Sequence, residues 1–223
     1  MVTGSALCDS SKEAALRRRG TVPESPSKTI AIADAASVAR VNMFFRLVWL
    51  SIRARFGERI QPTDVARTTF RVWPTDLDVL MHMNNGVYLS IMDLGRIDLM
   101  ARSAAWPRLQ KLGYYPVVVS STITYRRSLE PWQKFIVESA IIGLDDKAGY
   151  VEQRFVRDGE VYARAIVKAR FLKKSGGTVP MDELAELFGL DPADHPLPEW
   201  VHEWSTRAAL PTRREPAPST WEI

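Results

Sequence analysis

Two carboxylates, Asp76 and Asp78, stand shortly before His82, Asn84 and Asn85, and the run passes straight into apolar Val87-Tyr88-Leu89. A carboxylate can attack a carbonyl carbon or draw a proton from water. A helix opening at Asn84 or Asn85 presents unpaired backbone N–H groups and a partial positive charge in its first turn. A carbonyl oxygen held there is polarised as in an oxyanion hole. Asp78 precedes the Asn85 amide closely enough in the chain to approach the same ligand from the loop, so the run suits hydrolysis of an activated acyl group. Each residue also has a plainer use. The two aspartates can solvate or cap the loop, His82 can bond its own loop, Asn84 and Asn85 can cap the helix, and Tyr88 can fill the core.

These residues need elements to hold them. Thr68 to Trp73 reads as a short strand ended by Pro74, and the helix from Asn84 or Asn85 extends to about Arg102. With Ile91, Met92, Leu94, Ile97, Leu99 and Met100 it is apolar nearly all round, which predicts burial. Arg96, with Asp93 three residues before it, predicts an internal ion pair. Four strands follow, over Pro116–Arg127, Phe135–Leu144, Tyr150–Arg157 and Val161–Lys173. Asp158-Gly159 is a strong signal for a two-residue type I′ hairpin. Alternation puts Val161, Ala163, Ala165, Val167, Ala169 and Phe171 on one face, with alanines small enough to admit a helix. One buried helix and a run of antiparallel strands predict an α+β fold whose sheet curls round the helix.

Outside residues 67–174 the signals change. Residues 1–35 lack a sustained apolar period and read as disordered or as a non-native extension, with Met43 a candidate alternative start. Residues 43–57 read as a basic amphipathic helix, docked on its own domain or a dimer partner, or lying in a membrane interface. In residues 175–223 a last helix is expected at Met181–Phe188, followed by a peripheral proline-rich tail. The chain has 223 residues, one cysteine (Cys8) and a formal charge of +4. A lone cysteine forms no internal disulfide and suits a reducing cytoplasm, the expected location, with peripheral membrane contact through residues 43–57. The basic excess is too weak, and the motifs too few, to point to nucleic acid. His82, His195 and His202 lack partners at metal spacing, so no metal is expected.

The strings Pro74-Thr75-Asp76-Leu77-Asp78, His82-Met83-Asn84-Asn85 and Tyr88-Leu89 resemble the motif of the 4-hydroxybenzoyl-CoA thioesterase-like hotdog proteins, and above all their thioesterase superfamily member six branch. Ser128-Leu129-Glu130-Pro131, Gly143-Leu144-Asp145-Asp146 and Arg154-Phe155-Val156 are similar too, so the likeness runs from about Phe70 to Leu172. The resemblance implies the hotdog fold, an antiparallel sheet wrapped around a central helix. It further implies a homodimer or dimer of dimers, with an acyl-CoA or acyl-carrier thioester in a cleft between subunits and no cofactor beyond the substrate's own arm. Asp78 falls at the catalytic carboxylate of such enzymes and Asn85 at the helix N-terminal amide that polarises the thioester. His82 matches a histidine that plant acyl-carrier-protein thioesterases use with their aspartate. Asn84 and Tyr88 are candidate substrate contacts, and Arg126 and Arg127 candidate partners for CoA phosphates. Met81 stands where glycine is frequent in the family, and Leu80 where the plant enzymes have asparagine. The function implied is acyl-CoA hydrolysis. A non-catalytic hotdog protein binding acyl chains or partners at a membrane is the alternative, and a hotdog dehydratase is disfavoured because its Asp-x-Asn-Pro-x-His type motif is missing.

Overall fold

The computed structural model describes residues 42–212 and 214–219; the extension expected over residues 1–35, with Cys8, lies outside them. The element order is α1 (residues 42–56), β1 (Ala66–Arg71), a 3-10 turn (Pro74–Asp76), α2 (Asn85–Arg102), α3 (Ala105–Leu112), β2 (Tyr114–Tyr125), β3 (Lys134–Leu144), β4 (Gly149–Arg157), β5 (Glu160–Lys173), α4 (Met181–Phe188) and α5 (Glu199–Arg207). The strands form one antiparallel sheet in the order β1-β3-β4-β5-β2. The α+β expectation is borne out: one long helix lies against a curled antiparallel sheet.

The hairpin between β4 and β5 follows from its two turn residues. Asp158 and Gly159 both have positive φ, 51° and 77°, as a type I′ turn requires. Alternation then points Ala163, Ala165, Val167, Ala169 and Phe171 inward, all buried. The tightest approach of α2 to the sheet falls elsewhere. A Cβ on Gly95 would stand 2.9 Å from Ser139 Oγ and 3.0 Å from Gln153 Nε2, so the helix closes onto β3 and β4 at its one glycine past the first turn. Gln153 Nε2 donates to the Met92 carbonyl (2.9 Å) and to Ser139 Oγ (2.8 Å), satisfying polar groups in that dry contact.

Four readings need correction. α2 is not buried on every side, because Leu89 and Ile97 face outward, 44 % and 36 % exposed; the sheet covers only its concave side. α3 was not foreseen, although Pro107 in its first turn and Gly113 at its C-cap (φ 72°) mark its limits. The chain past Pro192 is not peripheral: α5 lays Val201 on Ala148, Tyr150 and Ile166, on the sheet face opposite α2. β1 and β2 also begin two residues earlier than read, at Ala66 and Tyr114. No described helix is long and apolar enough to cross a membrane.

α1 packs Leu50 into the same core as Phe70, Val72, Met83, Tyr88 and Phe155. It runs beside β1 and bonds it through Arg46 Nη2 to the Arg71 carbonyl (3.1 Å). At the other edge β2, twelve residues long, leaves Val117, Val118 and Val119 exposed.

Candidate active site

The loop from Asp76 to Asn84 is a small hairpin with bonds across its own two arms. Leu77 and Met83 form an antiparallel bridge, the Asp78 amide donates to the His82 carbonyl (2.8 Å), and the Asn84 amide donates to the Asp76 carbonyl (2.8 Å). Its reversal forces Met81 to φ 61°, the left-handed region where glycine is at ease and other residues lose about 1 kcal/mol or more. The family glycine at this position thus has a physical reason, and this chain places a methionine there.

The two aspartates have different fates. Asp76 is buried, with Oδ2 accepting from Arg46 Nη2 of α1 (2.5 Å) and from the Trp73 amide (2.8 Å), and Oδ1 accepting from Asn42 Nδ2 (3.3 Å). It anchors the loop to α1. Asp78 is half-buried, and its Oδ1 accepts from the amides of Leu80 (2.8 Å) and His82 (3.2 Å). Its Oδ2 has no hydrogen-bond partner among the described residues.

α2 begins where this hairpin ends. Asn84 is the N-cap, and its Oδ1 accepts from the Gly86 amide (2.8 Å), so its side chain serves the helix. Asn85 is the first helical residue, and its amide is one of those with no intrahelical acceptor. Asp78 and His82 thus lie in one short loop, and Asn85 opens the helix that follows it. Tyr88 is not on a ligand surface. It is 2 % exposed, with its ring 4.8 Å from Phe155 and its hydroxyl accepting from the Leu129 amide (3.3 Å). Burial raises its pKa, and the Leu129 amide opposes that. The expectation that Tyr88 touches substrate is corrected to a core role.

Arg126 and Arg127 follow β2 at the same end of the molecule, since Tyr125 stacks edge-on against Tyr88 at 5.0 Å. Both guanidiniums pair with Glu160, at 3.0 and 2.6 Å, and Arg127 lies over the Tyr162 ring. Two cations share one carboxylate, which leaves this corner positive. Among the described residues no group of three His, Cys, Asp or Glu is placed to hold a metal ion.

An apolar cavity of about 550 Å³ lies farther along α2, between Asp93–Ser103, α3, α4 and strands β2, β3, β4 and β5. Ile97, Met100, Val118, Ile141, Phe171 and Phe188 wall it. Its polar members include Asp93 and Arg96; the expected bond between them forms, and Arg96 Nη1 also reaches Gln153 Oε1 (2.6 Å). Burial lowers the Arg96 pKa, and the neighbouring Asp93 carboxylate opposes the shift. Asp78 is not among the residues that line this cavity. The cavity was not legible beforehand, because its walls come from seven elements of the fold.

A helix-on-curled-sheet core with an acid loop leading into the helix tip defines a hotdog domain, and comparison with solved structures agrees. The probable thioesterase YbaW from Escherichia coli superposes with a TM-score of 0.53 at 26% identity, over 55% of this chain and 95% of that one. A hypothetical protein from Thermus thermophilus, TT1821, superposes with a TM-score of 0.51 at 19% identity, over 57% and 98%, a likeness of fold alone. A family model described as the thioesterase-like superfamily matches residues 72–205, and the chain belongs to that superfamily. Protein THEM6 of Xenopus laevis is 41% identical over 99 residues, 44% of this chain and 48% of that protein. Protein THEM6 of Danio rerio is 32% identical over 128 residues, 57% and 63%. The expected family and branch are thus borne out, while the matched region spans about half to three-fifths of these two relatives' length.

Proposed function

We propose that the protein hydrolyses acyl thioesters of coenzyme A or an acyl carrier, with Asp78 supplying the reacting carboxylate. The observation that carries this reading is the division of labour between its two oxygens. Oδ1 is fixed by the Leu80 and His82 amides, which aims the group, and Oδ2 is left without a partner among the described residues. The reaction then runs in one of two ways. Oδ2 takes a proton from water as the oxygen attacks the thioester carbon, or it attacks that carbon itself and water later cleaves the mixed anhydride. Either way the carbonyl oxygen gains charge against the Asn85 amide, the C–S bond breaks, and the sulfur leaves as the thiol after protonation. His82 assists as a proton carrier at the mouth of the loop. Positive Arg126 and Arg127 suit a phosphate-bearing arm.

The acyl portion fits the 550 Å³ cavity, which lies about 12 Å along α2 from its first residue, eight residues at helical rise. A second copy completes the cleft. The open β2 edge and the outward Leu89 and Ile97 are surfaces that a lone chain would leave as a liability. That supports a homodimer formed through β2.

The test is thiol release from acyl-CoA substrates of graded chain length. The proposal expects turnover that favours apolar acyl groups long enough to reach the cavity over acetyl-CoA. A second reading, acyl binding without hydrolysis, draws on Asp78 serving as its own loop's cap. Purified protein that binds acyl-CoA and releases no thiol across the whole series would establish that reading and remove ours.

A further inference from the structure

α1 carries two apolar stripes, and the core uses only one of them. Leu50 and Ala54 face inward with Arg46, four residues apart. Phe45, Trp49, Ile52 and Phe56, spaced by four, three and four residues, form a second stripe on the solvent side, 65 %, 50 %, 56 % and 81 % exposed. Single exposed apolar residues are ordinary, but a contiguous aromatic stripe on the wet side of a helix marks an interaction surface.

The stripe continues onto the body of the domain. A groove of about 600 Å³ between α1 and β1 is walled by Phe45, Trp49, Phe70 and Trp73. Trp73 in turn packs edge-on against Trp132, ring centres 5.7 Å apart, and both remain about half exposed. Trp132 is the third residue of a turn in which the Gln133 amide donates to the Glu130 carbonyl, with φ 65°. Glycine is the residue such a position favours after proline. A bulky indole is held out toward solvent there against its backbone preference.

The same groove is positive. Arg46, Arg53, Arg71 and Lys134 line it, and among the described residues no carboxylate does. Arg46 is neutralised from behind by Asp76, and Arg53 stacks on the Trp49 ring at 5.4 Å. Among the described residues no carboxylate lies within ion-pair distance of Arg53, Arg71 or Lys134. The nearby acids in sequence are Glu58, beside Arg55 and Arg59, and Glu130, whose side chain bonds Gln133.

We infer that this face docks on an anionic phospholipid surface, with the aromatic stripe in the interfacial layer and the groove cations on lipid phosphates. Tryptophan and phenylalanine flanked by arginine and lysine are the composition that favours that layer, where one end of a residue is apolar and the other wet. Charge decides against a second copy as occupant. A two-fold contact through this face would set the same cations against themselves, whereas lipid phosphates neutralise them. The inference does not depend on the thioesterase reading, because neither the stripe nor the groove includes Asp78, His82 or Asn85.

The test is flotation of the full chain with vesicles of phosphatidylcholine alone and of phosphatidylcholine mixed in equal parts with phosphatidylglycerol. Binding is expected on the anionic vesicles and is expected to weaken as salt rises. In an Arg53→Gln, Lys134→Gln variant the partition coefficient should fall roughly fivefold for each cation removed. A Phe45→Ser, Phe56→Ser variant should lose flotation while keeping its thermal transition, since both side chains are already exposed. Wild-type protein that floats with neither vesicle, or a serine variant that floats unchanged, overturns the inference. So does a serine variant whose sedimentation mass falls while wild type shows no vesicle binding, which assigns the face to a second copy.

Discussion

The two ends of α2 are built on opposite terms. Its N-terminal end meets a polar hairpin that makes most of its hydrogen bonds within itself, holds Met81 in a left-handed conformation, and leaves one carboxylate oxygen and one helix amide without a partner among the described residues. Its C-terminal half lies over an apolar cavity walled by aliphatic and aromatic side chains. Charge-developing chemistry needs fixed dipoles at a helix tip, and an alkyl chain needs dry volume. One helix offers both, about two turns apart. The acid end is also tied to α1, through the buried Arg46–Asp76 pair and the bonds of Asn42 to Thr75 and Asp76.

That pair is where the contrast between the two ends is most easily broken. Arg46→Met would leave Asp76 buried and short of its cation, a loss on the order of 3 kcal/mol of stability. Hydrogen exchange should rise in residues 76–84 and change little in residues 93–103. Equal loosening of both regions would mean that the loop is not held from α1. A smaller change sharpens the contrast instead. Met81→Gly removes the left-handed strain and should raise stability by about 1 kcal/mol, read as a higher thermal midpoint with thiol release retained. A lower midpoint would show that the methionine side chain contributes more by packing than its backbone costs.

Much of the fold was legible because local signals agreed. β4, its Asp158-Gly159 turn and β5 have alternation and turn chemistry pointing to one hairpin, and the Asn84 cap marks the start of α2 to within a residue. What failed locally was short or masked by prolines. α3 has eight residues, and α5 follows Pro196 and Pro198, whose presence suggested an unstructured tail; Trp200, Val201, Trp204 and Ser205 carried the helical period. The site was legible as a list of groups and not as an arrangement. Nothing near Asp76 in the sequence announces that Arg46, thirty residues earlier, neutralises it, or that Asp78 is the carboxylate with an oxygen unpartnered among the described residues. Arg126 and Arg127 are legible as a pair of cations; that Glu160, brought there by the β2–β5 pairing, stands between them and takes up part of their charge is not.

Asp78→Asn offers the most direct measurement, because asparagine keeps a carbonyl oxygen to accept from the Leu80 and His82 amides and removes only the charge and the reactive oxygen. Thiol release from the best acyl-CoA substrate should fall by roughly 10² to 10⁴, with the thermal midpoint and acyl-CoA binding unchanged. Thiol release at the wild-type rate in that variant would contradict the account and return Asp78 to the role of a loop cap.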